Sequence, residues 1–238
     1  MSGPTRSVYL FYKLIWAGLD LVYPPYCGGC GGKGSRWCVG CQESVRLIQP
    51  PLCGRCGRRL NTSDLCIPCR RSDPPFTAVR SWADFHGPLR QAIHRLKYRR
   101  DISLGESLSR PLTGYLKSLA WEIDVIIPVP LGVARQKERG YNQAALIARP
   151  VALGTGRSYR PKALSRVRET KSQVGLSIEE RRKNVGGAFK AERQRVVDKN
   201  VLLIDDVLTT GSTMEACAAA LIEAGAAKVY GLTLARAL

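Results

Sequence analysis

Acidic side chains are scarce in this sequence. Its 238 residues carry 19 Asp and Glu against 37 Lys and Arg, a formal net charge of +18. No single basic tail explains this, because residues 1–80 hold 11 basic and 4 acidic side chains and the rest hold 26 and 15. A field this positive favours polyanionic partners, either phosphorylated small molecules or nucleic acid; plain solubility is the bland alternative. Histidine is nearly missing too, and His86 and His94 lack metal spacing and take no catalytic role. The chain has no G-x-x-x-x-G-K-[S/T], which removes the P-loop ATPase class. Nothing resembles a cleavable export signal. The apolar stretch from Val8 to Tyr26 contains Lys13 and Asp20, lacks a small-residue site before Pro24-Pro25, and is short for a membrane span. Leu10, Leu14, Ala17 and Leu21 recur at helical spacing, so residues 1–26 read as an amphipathic helix packed on the cysteine-rich segment after it. The expected compartment is the cytoplasm, where paired thiols mean metal more often than disulfide.

Cysteine is what the chain does have. Eight of nine fall between residues 27 and 69, as Cys27-x-x-Cys30, Cys38-x-x-Cys41, Cys53-x-x-Cys56 and Cys66-x-x-Cys69. The last two pairs repeat the first two, shifted by 26 and 28 positions, so a four-cysteine unit is duplicated. Each C-x-x-C forms a tight knuckle, and two knuckles complete a tetrahedron of thiolates around zinc. The expectation is two structural zinc ions, one per unit, across residues 27–72. An interleaved pairing and a disulfide framework are the alternatives. Four thiolates leave no open coordination position, so neither ion is catalytic. Too few aliphatic residues lie here for a core, and metal supplies much of the folding energy. Arg55, Arg58, Arg59, Arg70 and Arg71 suit either nucleic acid or a basic domain interface. Trp37 reads as mini-core before base stacking, and Cys217 as a small buried residue.

Asp73-Pro74-Pro75 is the boundary to a second domain, residues 73–238. Its most informative stretch runs from Val201 to Thr213: four aliphatic residues, then Asp205, Asp206, Val207, Leu208, Thr209, Thr210, Gly211, Ser212 and Thr213. The apolar run suits a strand buried on both faces of a parallel sheet. Its acids then fall at the carboxyl end, where open α/β sheets place ligands. The following loop feeds a helix N-terminus that attracts phosphate. All thirteen positions resemble the PRPP-binding motif of type I phosphoribosyltransferases (PRPP, 5-phosphoribosyl-1-pyrophosphate). That resemblance implies that the acids hold the ribose hydroxyls and the loop holds the 5′-phosphate.

Upstream, residues 77–85 alternate as a strand, Gly87-Pro88 opens a helix, and a second helical region covers about 102–120, with a break expected near Pro111. The first helix carries Arg90, His94, Arg95, Lys97, Arg99 and Arg100, a solvated face or an outer rim for substrate or nucleic acid. Residues 124–130 form a second buried strand ending in a rigid Pro-Val-Pro turn. By the same resemblance, Val129, Pro130, Leu131 and Gly132 contact pyrophosphate. Helices from about 143 and 214, a stop at Gly225 and a strand at 228–234 complete a doubly wound parallel α/β sheet. The order of cysteine ribbons, Phe85-His-Gly-Pro-Leu…Lys97-Tyr, Ile127-Pro-Val-Pro, Arg139-Gly-Tyr-Asn-Gln and Asp205-Asp206 resembles the ComF family, of ComFC type, across almost the entire chain. This resemblance implies a role in natural competence, with single-stranded DNA and competence-machinery proteins as partners. It also places Arg139 with the PRPP site.

The cation-rich segment between Ala163 and Phe189 follows the ComF pattern and reads as a flap, or else as a basic linker. In a phosphoribosyltransferase, Arg166, Arg168 and Lys171 would stabilise departing pyrophosphate while the flap excludes water. Mg²⁺ would accompany PRPP, held by the ligand's oxygens and water. No side chain stands out as a general base, and the acceptor is not legible. Two readings result: a Mg²⁺-dependent phosphoribosyltransferase with an appended zinc module, and a non-catalytic nucleic-acid-binding accessory protein regulated by PRPP or a nucleotide.

Overall fold

A computed structural model describes residues 24–62, 64–168 and 187–237. The expected N-terminal helix lies outside the described residues except for its last three positions, and so do Lys171 and most of the flap. No described helix is long and apolar enough to cross a membrane.

Seven strands and eight helices follow one another among the described residues. Two short helices, α1 (Val39–Glu43) and α2 (Ile67–Ser72), belong to the cysteine module. Then come β1 (Ala78–Asp84), α3 (Gly87–Tyr98), α4 (Leu104–Ser118), β2 (Val125–Pro128), α5 (Val133–Arg139), α6 (Gln143–Thr155) and β3 (Ser158–Tyr159). The chain continues with β4 (Leu164–Arg166), β5 (Phe189–Ala191), α7 (Arg193–Val196), β6 (Asn200–Leu208), α8 (Ser212–Glu223) and β7 (Lys228–Arg236). Five strands form one parallel sheet in the order β1-β7-β6-β2-β3, while β4 and β5 pair as an antiparallel hairpin.

The apolar run at 201–204 forms the middle of the sheet, and its alternation feeds two cores. Leu202 and Ile204 pack with Leu89, Ile93 and Leu96 of α3, Leu108 and Leu112 of α4, and Ile147 and Val151 of α6. Val201 and Leu203 pack on the other face with Met214, Cys217 and Leu221 of α8 and with Leu164 and Phe189 of the hairpin. Both faces are covered, as a doubly wound sheet requires. Fully buried Cys217 is a core residue.

Two expectations need correction. Helix α4 runs unbroken through Pro111. Side-chain hydroxyls join its ladder here, Ser109 Oγ donating to the Glu106 carbonyl and Thr113 Oγ1 to that of Ser109. The strand at 201 does not stop at its acids: Asp205, Val207 and Leu208 still pair with Thr233, Ala235 and Arg236 of β7. On the other side, β2 ends where Pro128 meets Ile204. The acids therefore lie where β6 has lost its β2 neighbour but kept β7.

The cysteine module closes the sheet's outer edge. Ile48 N–H donates to the Trp82 carbonyl (3.1 Å), Asp84 N–H to Arg46 (2.9 Å), and Val79 N–H to Arg55 (2.6 Å). These bonds occupy the free side of β1, which would otherwise be an unpaired edge. Arg55 holds the boundary segment through Asp73 and the carbonyls of Pro74 and Phe76. Arg59 pairs with Asp84, and Arg236 Nη1 donates to the Cys56 carbonyl at 2.7 Å. The interface reading thus holds for Arg55 and Arg59. Half-buried Trp37 packs on the α3–α4 core and donates to Gln42, so it acts as mini-core.

Candidate functional site

Connectivity selects one crevice. From β2 the chain passes through α5 and α6 to β3 on one side; from β6 it passes through α8 to β7 on the other. The order of the sheet reverses between β2 and β6, and the loops leaving their carboxyl ends diverge there. Such a switch point is the general ligand position of open α/β sheets. The two loops are those flagged in the sequence, Val129-Pro130-Leu131-Gly132 and Thr209 to Thr213. Val129 N–H donates to the Ile204 carbonyl (2.9 Å) and Asn142 Nδ2 to the Val129 carbonyl (2.9 Å), which pins the first loop beside β6. That loop runs straight into α5, a helix not foreseen, and Arg139 is its last residue before Gly140 at φ 82°.

The second loop leads directly into a helix N-terminus. Gly211, at φ 88°, precedes α8 in the left-handed region and supplies no side-chain cap. Ser212 N–H meets Thr210 Oγ1 at 3.5 Å, and the N-terminus of this 12-residue helix follows the carboxyl end of β6. Thr210 Oγ1 and Ser212 Oγ lie 3.0 Å apart and order the turn, while Thr209 is exposed.

Asp205 and Asp206 are adjacent in sequence but face opposite sides of the sheet, and their environments differ. Asp205 is half-buried and accepts from the Asp206 N–H at 2.9 Å. Burial, then the neighbouring Asp206 charge, push its carboxyl well above the usual carboxylate range. Asp206 is 2% exposed and turns toward α3 and α6. Its Oδ2 lies 2.5 Å from Lys97 Nζ, and its Oδ1 accepts from Gln143 Nε2 at 3.4 Å. Burial opposes its ionisation, but Lys97 outweighs that and holds the carboxyl below its ordinary value. Lys97 responds in kind: burial alone would lower its ammonium, and the Asp206 charge raises it.

Arg139 joins the same set, donating to Gln143 Oε1 (2.8 Å) with its guanidinium 5.1 Å from the Tyr98 ring centre. The structure thus gathers the acids, both loops and Arg139. Arg166 and Arg168 are the described cations of the expected flap: Arg166 closes β4 with its guanidinium 5.6 Å from the Phe189 ring centre and donates to the Arg168 carbonyl. Lys97 and Gln143 escaped the sequence reading as site residues. The available signal was that Lys97 stands four positions after buried Ile93, beside the apolar face of α3.

The cysteines form two clusters, Cys27-Cys30-Cys38-Cys41 and Cys53-Cys56-Cys66-Cys69, each with its four sulfurs within 4.8 Å of one another. Sulfur separations of 3.6 Å (Cys27–Cys41), 3.7 Å (Cys30–Cys38) and 3.6 Å (Cys56–Cys66) match a tetrahedron. Zn–S bonds of about 2.3 Å give edges of about 3.8 Å. Burial opposes ionisation of Cys27 and Cys53, yet converging backbone N–H donors lower both to about 6. The second unit abuts the phosphate-type loop: a cavity of about 50 Å³ between them is lined by Cys56, Arg58, Phe76, Leu208, Gly211 and Arg236.

Comparison with known proteins agrees with this arrangement. Residues 18–70 match the family model described as Double zinc ribbon domain, and residues 116–237 that described as Phosphoribosyl transferase domain. Competence protein F of Haemophilus influenzae is 32% identical over 211 residues, 84% of this chain and 90% of that protein. The chain belongs to the ComF family. DNA utilization protein YhgH of Salmonella typhimurium is 34% identical over 211 residues, 86% of this chain and 92% of that protein. Competence protein ComFC of Bacillus subtilis is 28% identical over 159 residues, 66% of this chain and 63% of that protein. This ComF-family chain therefore joins two four-cysteine zinc-ribbon sites to a phosphoribosyltransferase-type fold with a five-stranded parallel sheet.

Proposed function

We propose that this ComF-family chain binds PRPP with Mg²⁺ at the β2–β6 crevice, as a phosphoribosyltransferase-type protein of the cytoplasm that serves single-stranded DNA handling. One observation carries the reading: a half-buried carboxylate and a helix N-terminus opened by Gly211 meet at the switch point, beside a second pinned loop. Asp205 would serve the ribose hydroxyls, with Asp206 held behind it by Lys97 and acting through its neighbours, and with Val207 and Leu208 delivering the loop. Thr209, Thr210, Gly211, Ser212 and Thr213 would hold the 5′-phosphate, while Val129, Pro130, Leu131, Gly132 and Arg139 would meet pyrophosphate. Arg166, Arg168 and Lys171 would approach the leaving pyrophosphate from the flap. The residues fit the ion: Asp205 offers carboxyl oxygen at the end of β6, which a bound cation would favour in its ionised form, and Mg²⁺ would supply charge neutralisation to the phosphates it enters with. Calorimetric titration with Mg-PRPP tests the site. Heat that is absent in the wild type, or unchanged in Asp205→Asn/Asp206→Asn, would sink it.

A second reading, binding without turnover, is favoured by the outward face of α3. A groove of about 840 Å³ there is lined by Phe85, His86, Arg90, His94, Arg95 and Arg99, with Gly87 and Gln91 and no carboxylate among the described lining. Cations interleaved with aromatic rings suit a single nucleic-acid strand, and the names of the relatives speak of DNA utilization and competence. Pyrophosphate release with candidate acceptors separates the readings: a wild-type rate equal to that of Arg166→Ala and to the blank leaves binding alone.

A further inference from the structure

We infer that Lys97 is a positioning residue of the PRPP-type site, the cation that fixes Asp206 and ties helix α3 to the crevice. The inference rests on the PRPP reading above and deepens it. Lys97 is the penultimate residue of α3 and lies 2.5 Å from Asp206 Oδ2. From Asp206 the contacts pass to Gln143 at the start of α6, to Arg139 at the end of α5, and back to Tyr98 at the end of α3. Tyr98 adjoins Lys97, so the side chains close a ring. That ring joins three helices to β6 at the point where β2 has ended.

A packing role alone accounts poorly for this pair. A buried ion pair is weak support for a fold, since an apolar pair of similar size does as well or better. Here the pair occupies the carboxyl end of the central strand, past the end of β2 and one residue from half-buried Asp205. Lys97 keeps Asp206 turned toward α3 and α6, leaving Asp205 as the carboxylate presented to the ligand. Without the ammonium, the Asp206 carboxylate is left buried without its counter-ion. It must then take up a proton or turn toward water, and either change alters the charge and shape offered to a ribose.

The test is calorimetric titration of Mg-PRPP into zinc-loaded wild type, Lys97→Arg, Lys97→Met and Lys97→Met/Asp206→Asn, with unfolding midpoints measured alongside. Lys97→Met should weaken binding roughly tenfold or more, and Lys97→Arg should stay within about threefold of wild type. The double variant replaces the ion pair by neutral groups of similar shape, so its midpoint should recover while its affinity does not. Should Lys97→Met fail to fold, the Arg and double variants carry the comparison. Lys97→Met binding as tightly as wild type would overturn the inference, as would a double variant that regains affinity together with stability. A wild type that binds no Mg-PRPP removes the site reading itself, and this inference with it.

Discussion

Neutralising the two adjacent acids should move stability in opposite directions. Asp206 is held below its ordinary ionisation range by Lys97, so its contribution is present above the unfolded value and lost as pH falls through the folded one. Replacing it by Asn at neutral pH leaves the Lys97 ammonium without its partner. Breaking such a pair costs about 3–5 kcal/mol, and the lower end applies because the Lys97 side chain keeps 22% exposure and can reach water. Asp205 is shifted the other way, raised by burial and by Asp206. Holding it ionised at neutral pH works against folding, so Asp205→Asn should stabilise, by about 0.5–2 kcal/mol as is usual when a functional-site cost is relieved. The assay is urea unfolding of the zinc-loaded protein at neutral pH. With slopes of about 1–3 kcal/mol/M, Asp206→Asn should lower the midpoint by about 1–3 M, while Asp205→Asn raises it slightly. Both differences should shrink in acid, where the carboxyls are protonated in folded and unfolded chains alike. Shifts of the same sign in both variants, or no shift in Asp206→Asn, would refute the reasoning.

Elemental analysis should return two zinc ions per chain; one would mean that a unit is vestigial. Chelation should unfold the cysteine module and expose the outer edge of β1, seen as faster amide exchange at Val79 and Asp84, whose N–H groups donate to Arg55 and Arg46 in the folded chain. Gly57→Ala should loosen the same joint, because Gly57 has φ +67° and an added Cβ would lie 2.6 Å from the Val79 carbonyl oxygen. The cost is about 1 kcal/mol of backbone strain plus about 1–3 kcal/mol of crowding, read as a lower unfolding midpoint. Oligonucleotide affinity should fall steeply with salt, and Arg90→Ala/Arg99→Ala should reduce the log–log slope by roughly 1–2; a flat salt response would argue against a DNA surface.

The cysteine clusters were legible because a duplicated C-x-x-C unit favours closure within each unit, while the interleaved pairing that spacing left open is resolved by the sulfur positions. The parallel sheet was legible from apolar runs at 124–130 and 201–204, which only a strand covered on both faces would carry. Two things were not. The strand looked complete at its acids because carboxylates normally mark the exposed end of a run; pairing with β7 carries it on to Leu208. Lys97 read as one cation of a solvated face or outer rim, because spacing along one helix cannot show which carboxylate approaches it from the sheet. Arg55 and Arg59 illustrate the same limit, since their partners are backbone carbonyls and acids 12 to 25 residues away in sequence.

A crystal structure of the zinc-loaded chain at saturating Mg-PRPP tests the site most directly. The 5′-phosphate should lie against the backbone N–H groups of residues 209–213 with the ribose beside Asp205. A PRPP molecule bound elsewhere, or a loop left without phosphate at saturation, would contradict it.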